Sequence, residues 1–502
     1  LTSSSIAIYN CLYTQVILGG LMEKLKQSKW FIFTLVAIAQ FMVVLDISIT
    51  NVALPTIKNQ LQFTDSSLQW VITAYALAFG GFLLLGGRAA DYFGRRRMLL
   101  SGMIAFTAFS LLIGLAQSST MLIVLRTFQG LAAAMMSPAA LSIVLTTFRD
   151  GPARNRALGY WTLVATGGAA VGLLLGGALT EYFGWRWNFF INVPVGIAVA
   201  AAIYKIVPAH AKEEERTSLD VPGAILVTSS LIAMVFAFSQ TSSWGWLSGS
   251  TLGLLAASLV LMAAFLFNES RSPHPLMPLS IFKIRNVSGA NLMMAPIYAG
   301  MLGMFFLVTL YVQNVLHYSP VKAGLSFLPF PIILGFMSTR VPKLVSKYGF
   351  KRFLIAGPIL VAIAMAMLSR LPVDGTYFGN LLPTFILMPI GIGMTFMPII
   401  AAATSGVPAR ESGLASGLIT TSQQMGGALG LAILSSVAAS ATASAVHLSS
   451  EEALVHGFDR AILVSVAFVL FAVILAITVI KQPKRESANN RAVAKEIGHA
   501  NA

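Results

Sequence analysis

The sequence predicts an all-α integral membrane protein of fourteen transmembrane helices, built as two related six-helix bundles with two helices inserted between them. Three observations predict it. The 502 residues are 56% hydrophobic and only 10% charged, and apolar runs long enough to cross a bilayer, about 17–25 residues, recur along nearly the whole chain. Lys and Arg collect in alternate connections between those runs. Finally, a short basic turn bearing a glycine occurs twice, 255 positions apart. The runs are continuous and do not alternate over ~10-residue segments, which specifies helices and excludes a barrel.

Taken in order, residues 1–29 form an N-terminal extension and tail. Ile6 to Gly20 is only moderately apolar, is broken by Asn10, Thr14 and Gln15, and lacks a preceding basic region, so it makes a poor signal peptide. Met22 is the expected natural start. The spans then fall at roughly 31–54, 68–87, 98–116, 121–147, 157–180, 189–206, 221–239, 250–267, 287–312, 322–340, 353–369, 379–403, 413–438 and 460–480. With the N-terminus inside, 27 of the 33 Lys and Arg lie in inner segments and five in outer ones, while Arg126 lies within a span. Dropping or adding one helix scrambles that division, so an even count with both termini cytoplasmic follows.

The repeat sets the architecture. Asp91-Tyr-Phe-Gly-Arg-Arg-Arg-Met-Leu-Leu-Ser-Gly102 aligns with Ser346-Lys-Tyr-Gly-Phe-Lys-Arg-Phe-Leu-Ile-Ala-Gly357. The copies follow the second and tenth spans, a displacement of eight helices where two plain six-helix halves give six. Gly167–Gly177 in the fifth span falls over Ser422–Ala432 in the thirteenth at the same offset. The chain therefore divides into 30–206 (first bundle), 207–286 (inserted helices 7 and 8 with their linkers), 287–480 (second bundle) and 481–502, a cytoplasmic tail.

Three stretches carry a family resemblance. Gly87-Arg-Ala-Ala-Asp-Tyr-Phe-Gly-Arg-Arg-Arg97, Leu45-Asp-Ile-Ser-Ile-Thr-Asn-Val-Ala-Leu-Pro55 and Leu125-Arg-Thr-Phe-Gln-Gly130 together resemble the signature segments of the major facilitator superfamily, in its fourteen-helix drug:proton antiporter branch. The resemblance covers nearly all of the chain after residue 29. It implies a multidrug efflux transporter working by alternating access in the inner membrane of a bacterium.

Asp46 is the only acid expected well inside a span. A carboxylate at that depth costs several kcal/mol unless paired, hydrated or protonated, and burial disfavours its charged form, which suits a group that loads and unloads a proton. It is the candidate proton carrier, or a counter-ion for a cationic substrate; the plainer reading is a static partner in an interhelical ion pair. Arg126 is the only basic residue deep in a span. A guanidinium holds its proton at ordinary pH, so it can tune a carboxylate but cannot shuttle; the resemblance implies a coupling role, with Gln129 one turn along. By resemblance too, Arg88, Asp91, Gly94, Arg95 and Arg96 form a conformational latch on the cytoplasmic side, although inside-positive topology alone explains the arginines. Gly168, Gly172 and Gly176 recur every four residues and allow close helix approach. They are similar to the superfamily's antiporter segment, except that Leu173 stands where a proline is usual.

A substrate pocket is expected from Asp46, Gln129, Met294, Tyr298, Met301, Phe305, Gln423 and Gln424, since Met and aromatic side chains adapt to varied apolar ligands; a packing stripe is the alternative for the ninth helix. The absence of a deep acid in the ninth to thirteenth helices points to monovalent lipophilic cations or neutral amphiphiles. No P-loop is present, so the expected energy source is the proton gradient, with no cofactor. The single cysteine, Cys11, and histidines outside the spans (His317 at a helix end) offer no metal site. The formal charge of +15 resides at helix ends and not on one face, which excludes a nucleic-acid partner; lipophilic substrates, protons and the bilayer are the expected partners of a monomer. Enzymatic activity is not expected. The rivals are a dedicated exporter of one endogenous metabolite and a non-transporting membrane sensor or scaffold.

Overall fold

The computed structural model describes residues 28–148, 152–208, 220–273, 275–407 and 412–482. Fourteen helical segments of spanning length run through them: α1 (Lys29–Leu61), α2 (Trp70–Phe93), α3 (Arg95–Gly114), α4 (Ser119–Thr147), α5 (Pro152–Tyr182), α6 (Trp187–Ile206), α7 (Val221–Ser239), α8 (Gly249–Arg271), α9 (Arg285–Val315), α10 (Pro320–Tyr348), α11 (Phe350–Leu368), α12 (Tyr377–Thr404), α13 (Ser412–Ser444) and α14 (Ser450–Thr478). Among the described residues there is no strand. Thirteen of the segments are long and apolar enough to cross a membrane as described. The other, α5, has the length at 31 residues, but several of its side chains lie outside the described residues.

The helix pairings repeat with the offset of eight that the sequence repeat gives. α1 packs on α5 as α9 packs on α13. α2 lies on α4 as α10 lies on α12, and α3 meets α4 and α6 as α11 meets α12 and α14. The two halves join along α2–α13 and α5–α10, two seams related by the same exchange. The repeated turns share a backbone conformation. Gly94 (φ +96°) alone joins α2 to α3, and Gly349 (φ +80°) alone joins α10 to α11. Both lie in the left-handed region that a side chain resists, so a one-residue reversal here requires glycine.

The inserted pair docks on one seam only. α7 packs on α2 and α13, and α8 on α7. α7 and α8 are held by a reciprocal clamp: Ser230 Oγ donates to the Ser258 carbonyl and Ser258 Oγ to the Ser230 carbonyl, both at 2.8 Å. The linker after α8 then runs under the α2–α13 seam. Glu269, 3% exposed, accepts the backbone N–H groups of Leu276 and Met277 at 3.2 and 3.1 Å. Beyond it Ile281, Phe282 and Ile284 pack with Leu84 of α2 and Leu414 and Leu418 of α13.

One boundary needs correction. The last helix, expected from 460, begins ten residues earlier. Ser449 and Glu452 form a capping box, with Ser449 Oγ accepting the Glu452 N–H at 3.3 Å and Glu452 Oε2 accepting the Ser449 N–H at 2.9 Å. That box satisfies the orphan donors of the first turn and lets the helix start in a polar stretch.

Candidate functional site

The first half encloses a buried polar cluster built from α1, α3, α4 and α6. Arg126 and Gln129, three apart on α4, share a face and point together. Asp46 of α1 meets them: its Oδ2 pairs with Arg126 Nη1, and its Oδ1 accepts Gln129 Nε2 at 2.9 Å and Asn192 Nδ2 of α6 at 3.3 Å. Gln129 also accepts from Arg126 Nη1 (2.7 Å) and donates to Ser110 Oγ of α3 (2.8 Å). Arg126 Nε donates to the Val71 carbonyl of α2 at 3.0 Å, and the guanidinium lies 4.4 Å from the centre of the Tyr75 ring. Asp46 and Arg126 are 0% and 1% exposed. A pair so far from water persists only when its remaining hydrogen-bonding capacity is met, and loss of one partner strands the other at a cost of about 3–5 kcal/mol. Sequence reasoning missed Ser110, Asn192 and Tyr75, whose only signal was a polar group within an apolar span.

Between the halves lies a nearly closed central cavity of about 10 Å³, lined by Ile47, Ile72, Tyr75, Ala76 and Arg126 from the first half and Tyr298, Leu302 and Gln424 from the second. Arg126 thus has two environments: one edge on Asp46, the other on the cavity wall. Asp46 itself stands behind Arg126 and is not part of the lining, and neither is Gln129. Of the residues expected at the pocket, Tyr298 and Gln424 line it, and Gln423 lies within hydrogen-bonding reach of Tyr298. Met294, Met301 and Phe305 do not. Met294 packs with Met293, Ile297 and Leu354, Met301 packs against the large core shared by both halves, and Phe305 sits 4.7 Å from the Phe330 ring and 5.8 Å from that of Phe327. The stripe on α9 is core packing, because three-to-four-residue spacing marks a buried face without saying which neighbour buries it.

The glycines of α5 form the seam with α1. A Cβ added at Gly168, Gly172 or Gly176 meets Val44 at 3.3 Å, Ser48 at 2.7 Å or Ile49 at 2.8 Å. Leu173 lies on the other seam, where its carbonyl faces Gly324 of α10. In the basic turn, Arg95 Nε stands 3.6 Å from Asp91 Oδ1. Arg96 donates to the Tyr204 carbonyl of α6, with its guanidinium 5.3 Å from that ring centre, and Arg88 is within electrostatic reach of Glu269. These contacts join the turn to its own half and to the inserted pair. Residues 408–411 lie outside the described residues, as do Arg149, Lys212, Arg216 and the basic residues of the tail beyond Lys481.

The earlier start of the last helix brings a further acid onto a spanning helix. With α14 starting at Ser450, Asp459 is its tenth residue. Asp459 Oδ1 and His456 Nδ1, one turn apart, are both buried without a hydrogen-bond partner. Among the described residues no group of three His, Cys, Asp or Glu side chains could hold a metal ion.

The family model described as "Major Facilitator Superfamily" matches residues 36–431. The puromycin resistance protein pur8 of Streptomyces alboniger is 40% identical over 457 residues, covering 89% of this chain and 90% of its own. The cephamycin export protein CmcT of Amycolatopsis lactamdurans is 40% identical over 407 residues, 80% of this chain and 84% of its own. Among solved structures, an auto-inhibited peptide transporter of the POT family superposes with a TM-score of 0.65 at 16% identity, over 91% of this chain and 98% of that one; at that identity the likeness speaks to fold alone. The chain is a multi-pass membrane protein and belongs to the major facilitator superfamily.

Proposed function

We propose that this chain is a proton-coupled exporter of hydrophobic small molecules, working by alternating access in the cytoplasmic membrane with both termini inside. The observation that carries the reading is the buried Asp46–Arg126 pair, whose arginine lies in the wall of the cavity between the halves. A proton reaching Asp46 removes its charge and loosens its hold on Arg126. The guanidinium, already on the cavity wall, is then free to swing into the space a ligand would fill. Occupancy of the cavity and protonation behind it become mutually exclusive, as exchange demands. Each inward proton supplies about 2.3 kcal/mol per 100 mV, enough to concentrate a solute some tens of fold. The basic turns at Gly94 and Gly349 mark the cytoplasmic face by their Lys and Arg content.

The lining supports a neutral amphiphile over a lipophilic cation, because it presents a guanidinium, aromatic and aliphatic groups and an amide, but no carboxylate. The test is efflux of neutral and cationic lipophilic dyes from cells expressing the chain, with and without a protonophore. Export of neutral dyes that collapses with the protonophore supports the reading; export indifferent to the protonophore removes proton coupling.

A second reading, export of one endogenous metabolite, is favoured by the names of the two relatives, each tied to a single antibiotic. A screen in which one compound alone is exported selects it over the broader function.

A further inference from the structure

A recess at the face bearing the basic turns lies between the inserted helices and is separate from the central cavity. It measures roughly 530 Å³ and is lined chiefly by Asp220, Pro222 and Leu226 at the start of α7 and by Phe267, Asn268 and Arg271 at the end of α8. Its wall belongs to the most lipid-facing part of the molecule: only 17% of the apolar window of α8 is buried, the lowest value among the spans. Phe267 is 58% exposed.

Two opposite charges in this recess have no ion-pair partner among the described residues. Asp220 is 6% exposed. Its Oδ1 accepts the Gly223 N–H at 2.9 Å, capping α7, and Asn268 Nδ2 donates to its two oxygens at 3.0 and 2.8 Å. Glu269 lies within electrostatic reach of it, and no Lys or Arg among the described residues forms an ion pair with it. Arg271 rests its guanidinium 4.5 Å from the centre of the Phe267 ring and likewise pairs with no carboxylate. The hydrogen bonds to Gly223 and Asn268 leave the Asp220 carboxylate acceptor capacity for a cation, and an arginine guanidinium matches phosphate geometry.

We infer that this recess binds a membrane phospholipid with a primary ammonium headgroup, of the phosphatidylethanolamine class. The ammonium donates to Asp220, the phosphate accepts from Arg271, and an acyl chain runs along Leu226, Ala264 and Phe267. A purely anionic headgroup satisfies Arg271 but places its charge against Asp220 and Glu269. A choline headgroup satisfies Arg271 too, but its methylated nitrogen has no N–H to give Asp220. The bound lipid lies beside the linker pinned by Glu269, so it braces the inserted pair against the α2–α13 seam.

Native mass spectrometry of the intact purified chain, titrated with phosphatidylethanolamine, phosphatidylcholine and phosphatidylglycerol of equal chain length, tests this directly. Phosphatidylethanolamine is expected to be retained at least fivefold over the other two. Asp220→Asn keeps a competent helix cap and is expected to bring phosphatidylethanolamine down to the level of phosphatidylcholine. Arg271→Gln, at an exposed position, is expected to lower both together. Equal retention of all three lipids, preference for phosphatidylglycerol, or an undiminished preference in Asp220→Asn overturns the proposal. The readout is binding, so it stands or falls independently of proton coupling.

Discussion

Asp46 is held by three side chains from two other helices, Arg126, Gln129 and Asn192, so its charge state bears on several helices at once. Gln129 is the hinge of the cluster, because it accepts from Arg126 while donating to both Asp46 and Ser110. Hydrogen bonds to charged groups contribute about 1.5–3 kcal/mol each. If one such bond is lost at the step where Arg126 changes partner, transport slows by roughly ten- to a hundredfold. Gln129→Leu is therefore expected to cut the initial rate of proton-driven efflux at least tenfold at unchanged membrane expression; a rate within twofold of the parent removes Gln129 from the coupling. Arg126→Ala is expected to abolish transport without loss of insertion, as measured by efflux against surface-labelled protein. Asp46 and Arg126 were legible because ionisable groups are rare at depth and each announces itself; Gln129 was legible only through the segment it shares with Arg126. Ser110, Asn192 and Tyr75 were not, since a lone polar side chain in a span reads equally well as helix packing. Asp459 was hidden for a different reason: the polar run before it looks like a loop until the Ser449–Glu452 cap is recognised.

At the level of helices, the seams depend on backbone approach that glycine alone permits. A Cβ at Gly130 of α4 overlaps the backbone of Tyr75 in α2, the residue whose ring carries the Arg126 guanidinium. Overpacking there costs about 1–3 kcal/mol, and backbone offers less relief than a side chain. Gly130→Val is expected to lower the melting temperature in detergent and to displace Arg126. By contrast Gly167→Ala, where nothing lies within 4 Å of an added Cβ, is expected to leave it unchanged. Thermal melts of the two variants check this. The spacing of Gly168, Gly172 and Gly176 showed that a close seam exists; that α1 is its partner required the fold. The α9 stripe of Met294, Met301 and Phe305 shows the converse, its periodicity marking a face that here packs in the core and not on the cavity.

For the whole molecule, the eight-helix offset between the repeated turns foretold the pairing of helices, and the two seams obey it. Offset alone could not tell which face is closed or where the inserted pair docks, because both depend on contacts between halves that leave no periodic trace. At the face opposite the basic turns the halves meet closely. Gln313 Nε2 of α9 donates to the Val52 carbonyl of α1 at 2.9 Å, and Glu181 of α5 accepts the Val321 N–H of α10 at 2.9 Å. If these contacts part in each cycle, tethering them arrests export. With Cys11→Ser as background, Glu181→Cys with Val321→Cys, bridged by a short cleavable thiol reagent, is expected to stop efflux and regain it on cleavage. Undiminished efflux while bridged excludes opening along this seam. The central claim is most directly tested by simultaneous recording of dye efflux and proton influx in proteoliposomes with an imposed pH gradient, comparing the parent chain with Asp46→Asn. The account requires matched fluxes in the parent and loss of both gradient-driven fluxes in the variant. Gradient-driven efflux with accompanying proton influx in Asp46→Asn contradicts it.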